Sequence, residues 1–78
     1  MQKGQYRIIL TRHAFLQAMK RGIHPDIIES ALQQGTMQWF GKNRVKFVKQ
    51  FRDNAIICVD EVRGDVIVIV TIVKKVKK

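Results

Sequence analysis

Three polar side chains recur at intervals of four in the segment RHAFLQAMKRG, namely His13, Gln17 and Arg21. Residues four apart lie on the same side of a helix, so these three form one polar stripe, with Lys20 next to it. An imidazole, an amide and a guanidinium in line can bind a phosphodiester, and the imidazole can also exchange a proton. The solvent-facing side of an ordinary amphipathic helix has a similar composition, so the spacing alone leaves both interpretations open.

The position of His13 in the predicted helix favours a chemical role. It falls in the first turn after Thr11, a plausible N-cap residue, where the helix dipole favours the neutral imidazole. A neutral imidazole can accept a proton, as a general base must, and the free amides of the same turn attract an anion. His24 differs, because it stands before Pro25 where a helix-capping residue is expected, so we interpret it as structural.

A second group of candidate binding residues combines aromatic rings with cations. Trp39 and Phe40 precede Lys42, Arg44 and Lys46. Such rings can stack on unpaired bases while the neighbouring cations contact phosphates. The rings could equally belong to the core, and we expect this of one of the two.

The remaining reactive side chains favour structural interpretations. Cys58 lies in the apolar segment AIICV with no charge beside it, which is typical of a buried and inert thiol. Thr71 is the only polar residue of the apolar run VIVIVTIV, so it either hydrogen-bonds a neighbour or opens onto a site. No spacing among the acidic residues resembles a two-metal or calcium site, so we expect neither a metal nor another cofactor. These residues fall in or beside turns or at a helix start: Asp26, Glu29, Asp53, Asp60, Glu61 and Asp65.

Apolar periodicity predicts one strand and two helices in the first half of the chain. The segment YRIIL (Tyr6–Leu10) is typical of a short strand. Apolar residues then recur at three- and four-residue intervals over residues 12–21, and Gly22 ends this helix. Pro25 begins a second helix, which Gly35 ends. The predicted inner faces of the two helices comprise Ala14, Phe15, Ala18, Met19, Ile27, Ile28, Ala31 and Leu32.

The second half of the chain switches to a two-residue period. Four apolar strands, MQWF, RVKFVKQF, AIICVDE and DVIVIVTIV, are separated by the short polar turns GKN, RDN and VRGD. We therefore predict an α+β fold of order β-α-α-β-β-β-β, with a helical hairpin packed on one face of an antiparallel sheet. The last strand is apolar on both faces, so it should lie centrally, covered on each side or flanked on both edges. Residues 74–78, KKVKK, are predicted to be a basic, frayed end.

Length, charge and cysteine content limit the class of protein. Seventy-eight residues form a single domain, 1–78, with a net charge of +9, of which about +5 remains without the four terminal lysines. Such a charge favours polyanionic partners, or it serves solubility alone. A single cysteine excludes an internal disulfide and fits the cytoplasm. The absence of a basic-then-apolar leader and of a membrane-length apolar run leads us to expect no membrane partner.

The string TRHAFLQAMKRGIHPDIIESALQQG, followed by strands ending in VIVIVTIV, resembles a family of small, mostly uncharacterised prokaryotic domains. The shared pattern is His-Ala, six residues, then Arg-Gly-Ile, a second helix and a late strand that carries a threonine. The pattern falls here on residues 13–14, residues 21–23 and Thr71, and the resemblance covers roughly residues 10–73. Members usually carry arginine four residues after the histidine, where this chain has Gln17.

The family is a toxin-like domain of unknown function that is compared with RelE-like and BrnT-like ribonuclease toxins. This comparison implies a helix-plus-antiparallel-sheet fold and RNA cleavage without a metal. It also implies two partners: RNA, free or on the ribosome, and an acidic antitoxin protein. The alternative is a non-catalytic basic module that binds RNA or an acidic partner protein through its cations.

Under the ribonuclease hypothesis the candidate residues take different roles. His13 removes the proton of the RNA 2′-hydroxyl, and Arg21, with Arg44 and Lys46, stabilises the negative charge that develops at the phosphate. No residue stands out as the proton donor to the leaving 5′-oxygen. The predicted catalytic residues are His13, Arg21 and Thr71, and the predicted nucleic-acid-binding residues are Gln17, Lys20, Lys42, Arg44 and Lys46.

Overall fold

The computed structural model describes the backbone of residues 2–3 and 5–77 and the side chains of residues 5–77. This part of the chain contains two helices and six strands, in the order β1 (Gln2–Lys3), β2 (Tyr6–Leu10), α1 (Arg12–Lys20), α2 (Pro25–Gln34), β3 (Thr36–Trp39), β4 (Arg44–Gln50), β5 (Asn54–Arg63) and β6 (Val66–Val76). The α+β class and the predicted element order are confirmed, and the two-residue β1 is added before the first predicted strand.

The strands form one mixed sheet in the order β1-β2-β6-β5-β4-β3. All neighbouring strands are antiparallel except β2 and β6, which run parallel and align Arg7 with Val66 and Leu10 with Ile69. The expectation of a purely antiparallel sheet is therefore wrong for this pair. Short turns force β3 to β6 to alternate in direction, whereas two helices and three strands separate β2 from β6, so no turn sets their relative direction.

The last strand runs well beyond the end of β2. It pairs with β5 along its length, whereas β2 flanks only residues 66–69, where the prediction of two neighbouring strands is confirmed. It is not covered on both sides, since Val70 and Val73 are 38% and 37% exposed. Residues 74–76, predicted to belong to a frayed end, instead continue β6 because they pair with the start of β5. Lys78 lies outside the described residues.

Both helices begin and end close to the predicted residues. Thr11 caps α1, because its Oγ1 accepts a hydrogen bond from the backbone N–H of Ala14 at 3.1 Å. Gly22 follows this helix with a φ of +72°, a conformation that costs glycine no Cβ clash. His24 takes the N-cap position of α2 before Pro25, as predicted, but its side chain makes no capping hydrogen bond.

One face of the sheet carries both helices and the core. α1 packs mainly on β6, and α2 packs on β4 and β5. In β4, Val45 and Phe47 are fully buried and pack with the helices, whereas Arg44 and Lys46 alternate with them and point to the other face. The buried core comprises Ile8, Ala14, Ala18, Ile23, Ile28, Ala31, Leu32, Val45, Phe47, Ile56, Cys58, Ile67, Ile69 and Ile72.

Neither aromatic residue of the segment MQWF enters the core, contrary to the expectation that one would. Trp39 is 52% exposed and Phe40 is 37% exposed. The reason lies in the strand order, because β3 forms the edge of the sheet and α2 packs on β4 and β5. The end of β3 therefore extends past the layer that the helices cover.

Gly35, which ends α2, is required by a close backbone approach and not by a left-handed conformation. Its φ is −73°, and a Cβ there would collide with the carbonyl oxygen of Ala31 and lie 3.0 Å from that of Val48. We expect Gly35→Ala to lower the free energy of unfolding by about 2 kcal/mol, because backbone atoms must move.

Urea denaturation followed by circular dichroism measures this loss. Gly41→Ala is the matched control, because a Cβ there meets open space and only its φ of +75° is unfavourable, at about 1 kcal/mol. A Gly35→Ala protein with the wild-type denaturation midpoint would contradict the close approach.

Candidate functional site

The first helix lies along the edge of β6 that β2 leaves open. β2 pairs with β6 only as far as Ile69, and α1 packs against the strand beyond. Thr11 Oγ1 donates to the carbonyl oxygen of Ile69 at 2.8 Å, and Arg21 Nη1 donates to the carbonyl oxygen of Ile72 at 2.5 Å. Side chains at the two ends of α1 thus satisfy strand carbonyls that a neighbouring strand would otherwise pair.

The middle of the polar stripe is held by the same strand. Thr71 Oγ1 donates to Gln17 Oε1 at 2.8 Å, and Gln17 is half-buried. Of the two interpretations of Thr71, the hydrogen bond to a neighbour is therefore confirmed. Gln17 supplies the acceptor for this hydroxyl. The stripe is not simply a solvated helix face, because Gln17 and Arg21 both bond to β6.

His13 is exposed and is the one member of the stripe that does not bond to β6. Its imidazole makes no hydrogen bond to any residue that the structure describes. It lines a shallow depression of about 480 Å³ on α1. The other lining residues are Leu16, Gln17, Met19, Lys20 and Arg21. An imidazole, an ammonium and a guanidinium therefore share one surface, and the Thr71 hydroxyl adjoins it through Gln17.

The cations of β4 do not join this depression, contrary to the role expected for them there. Arg44 and Lys46 point away from the face on which Val45 and Phe47 pack with the helices. β5 also lies between β4 and β6. Arg44 and Lys46 are thus not placed to stabilise charge on a phosphate bound beside His13.

Lys42 belongs to a separate surface at the tip of the β3–β4 hairpin. Exposed Phe40 lies there opposite exposed Arg44 and close to exposed Lys42, whereas exposed Trp39 pairs with Val45 and therefore faces the other side of the sheet. The backbone N–H of Phe40 donates to the carbonyl oxygen of Arg44 at 3.0 Å, which holds the two sides of the tip together. The hairpin tip therefore presents one ring, not two, on the face of its cations, at the edge of the sheet opposite to the one nearer α1.

One unusual core residue, Asp60, was not identified from the sequence. It was expected beside a turn, but it lies within β5, is fully buried, and has no hydrogen-bond partner for either carboxylate oxygen among the described residues. Burial raises the pKa of Asp60 to about 8. The alternation of AIICVDE could have revealed it, because Ile56 and Cys58 also point inward at two-residue spacing.

Cys58 is a buried thiol, as predicted. Its side chain is fully buried, and burial, followed by the charge of Asp60, raises its pKa to about 12. The thiolate is the nucleophilic form of cysteine, so this thiol is inert near neutral pH.

No group of three or more His, Cys, Asp or Glu side chains able to hold a metal ion occurs among residues 2–3 and 5–77. Within the same residues, neither helix has the length and apolar character needed to cross a bilayer.

The chain matches no protein-family model, no curated protein and no solved structure. The resemblance to toxin-like domains therefore stays a prediction, based on residues 13–14 and 21–23 and on Thr71.

Proposed function

We propose that this chain is a metal-independent ribonuclease whose active site is the depression on α1. The environment of His13 supports this most strongly: the exposed imidazole has no bonding partner among the described residues and shares the depression with Lys20 and Arg21. A base able to take a proton and two cations able to attract a phosphate are the groups that cleavage through the 2′-hydroxyl requires. The buried, reduced cysteine fits a cytoplasmic location.

In the proposed reaction His13 removes the proton of the RNA 2′-hydroxyl, and the oxygen attacks the adjacent phosphorus. The bond from phosphorus to the 5′-oxygen breaks, leaving a 2′,3′-cyclic phosphate and a 5′-hydroxyl. Lys20 donates a proton to the leaving oxygen, which supplies the acid that sequence patterns did not identify. Lys20 stands two helical turns after His13, about 10 Å along the axis, and two extended side chains can meet at one phosphate across this span.

Arg21 stabilises the charge that develops on the phosphate. Its Nη1 is bonded to the carbonyl oxygen of Ile72, which holds the guanidinium at β6, and its remaining N–H donors can reach a phosphate oxygen. Thr71 acts on this site through Gln17, so we assign it a positioning role and not a catalytic one. Arg44 and Lys46 take no part in the step, because they lie on the other face of the sheet.

Incubation with single-stranded RNA in the presence of EDTA tests the proposal. We expect products that end in a 2′,3′-cyclic phosphate and a 5′-hydroxyl, identified by mass spectrometry. A 2′-deoxynucleotide on the 5′ side of the scissile phosphate should prevent cleavage there, because the nucleophile is then missing. Translating ribosomes serve as the second substrate. A pure protein that cleaves neither free RNA nor ribosome-bound RNA would overturn the proposal.

A non-catalytic RNA-binding domain is the second candidate, and the hairpin tip favours it. Exposed Phe40 lies opposite Arg44 and close to Lys42, so a base can stack on this ring while its phosphate pairs with the two cations. This function requires saturable, salt-sensitive binding with no products in the EDTA assay. An acidic protein, such as an antitoxin, would compete with RNA for the same cations.

A further inference from the structure

We infer that a cleft next to the depression binds one nucleotide unit of single-stranded RNA, with the base on an apolar floor and the phosphate at a basic rim. The inference rests on the proposed function, because it extends the RNA site of the same protein. The cleft is open to solvent and has a volume of about 390 Å³, where the α1–α2 turn, the β4–β5 turn and β6 meet. This volume lies within the range of small-ligand sites.

The floor of the cleft suits the flat face of a nucleobase. Ile23 and Ile56 are almost completely buried there, and Ile27 and Phe51 are half-buried. A base that packs on Ile27 and Phe51 covers the apolar surface that these two side chains still expose, and it contacts an aromatic ring. Asn54, also in the lining, carries an amide that can both donate to and accept from the edge of a base.

The rim of the cleft suits a phosphate. His24, Arg52 and Lys74 are exposed, and none of their side chains is hydrogen-bonded or ion-paired to a described residue. Asp53 is the one carboxylate among the described residues that line the cleft, so cationic groups predominate. N–H donors from several directions are what a phosphate needs, whereas a fatty acid needs one charge at the end of a long apolar channel.

The cleft also continues the depression on α1. Arg21 lines the depression, and the next residue, Gly22, lines the cleft. Lys74 follows Ile72, whose carbonyl oxygen holds Arg21, by two positions along β6. RNA that is bound beside His13 can therefore place a neighbouring nucleotide in the cleft without leaving the protein surface.

Titration of the ¹⁵N-labelled protein with AMP, and separately with inorganic phosphate, tests the cleft without any cleavage. We expect AMP to shift the amide signals of Gly22, Ile27 and Asn54, which line the cleft. AMP should also bind at least about tenfold more tightly than inorganic phosphate, because only AMP brings a base to the apolar floor.

Two double variants of equal charge show whether the rim holds the phosphate. Arg52→Ala combined with Lys74→Ala should weaken AMP binding at least about tenfold, because both cations line the cleft. Arg7→Ala combined with Arg12→Ala removes the same charge from exposed positions outside the cleft and the depression, and should change the affinity less than about twofold.

Four results would overturn the inference: amide shifts confined to the depression, equal affinity for AMP and inorganic phosphate, equal losses of AMP affinity in the two double variants, or displacement of AMP by tighter-binding lauric acid.

Failure of the cleft proposal can be distinguished from failure of the ribonuclease proposal. If the Arg52→Ala, Lys74→Ala protein cleaves RNA normally at an unchanged KM, the nucleotide site in the cleft is refuted and the ribonuclease proposal stands. If the protein binds AMP in the cleft but cleaves no RNA, the nucleotide site stands and the ribonuclease proposal is refuted.

Discussion

Replacing His13 with alanine is expected to lower the rate constant of RNA cleavage at least about a hundredfold while changing KM much less. A general base contributes roughly 10²–10⁴ to a rate, and no other described residue of the depression carries an imidazole. Binding should persist because Lys20 and Arg21 remain. Single-turnover cleavage of one labelled RNA measures the chemical step apart from binding.

The neighbouring cation provides a matched control. Arg12 is exposed and adjacent to His13 but does not line the depression, so Arg12→Ala should leave the rate constant within about twofold. His13→Gln keeps a polar side chain without a proton-accepting ring nitrogen and should lose as much activity as His13→Ala. Thermal unfolding verifies that each variant folds. Cleavage by His13→Ala at the wild-type rate would remove this residue from the mechanism.

Replacing Asp60 with asparagine is expected to remove a large pH dependence of stability. Burial raises the pKa of Asp60 from 3.8 to about 8, so between these values the native chain holds a proton that the unfolded chain has released. The free energy of unfolding of the wild type therefore falls as the pH rises through this window. About four pH units at roughly 1.4 kcal/mol each set an upper limit near 6 kcal/mol, and we expect a loss of several kcal/mol.

Urea denaturation at pH 5, 7 and 9 measures this effect as a difference between two proteins. Wild type and Asp60→Asn should have similar free energies of unfolding at pH 5. At pH 9 the variant should be the more stable, because the asparagine side chain cannot ionise. Asp53→Asn is the control, since Asp53 is exposed and its replacement should keep the wild-type pH dependence. If the free energy of unfolding changed with pH equally in wild type and Asp60→Asn, the buried carboxyl would not be the cause of the pH dependence of stability.

Features that depend on neighbouring residues were predictable from the sequence. Thr11 and Pro25 mark the starts of the two helices, and Gly22 and Gly35 follow their ends, because caps act within one turn. The helical and two-residue periods predicted the element order and the helical residues at the centre of the core, Ala14, Ala18, Ile28, Ala31 and Leu32. The inertness of Cys58 followed from its apolar neighbours in the same strand.

Two features that differ from expectation are nevertheless contained in the two-residue period of the strands. The alternation that places Val45 and Phe47 in the core also excludes Arg44 and Lys46 from a site on the helices. The same alternation in β5 makes Asp60 an inward residue. In both strands the two-residue period is present in the sequence, and it determines which face of the sheet each charged side chain occupies.

Other features were decided only by the tertiary structure. The parallel pairing of β2 with β6, the exposed edge position of Trp39 and the cleft around Phe51 all depend on strand order. The bonds from Arg21 and Thr71 that fasten α1 to β6 join residues more than fifty positions apart. Spacing of side chains along the chain determined which groups share a helix face or a strand face. Which faces and edges meet depends on packing between distant segments, and no local pattern encodes that choice.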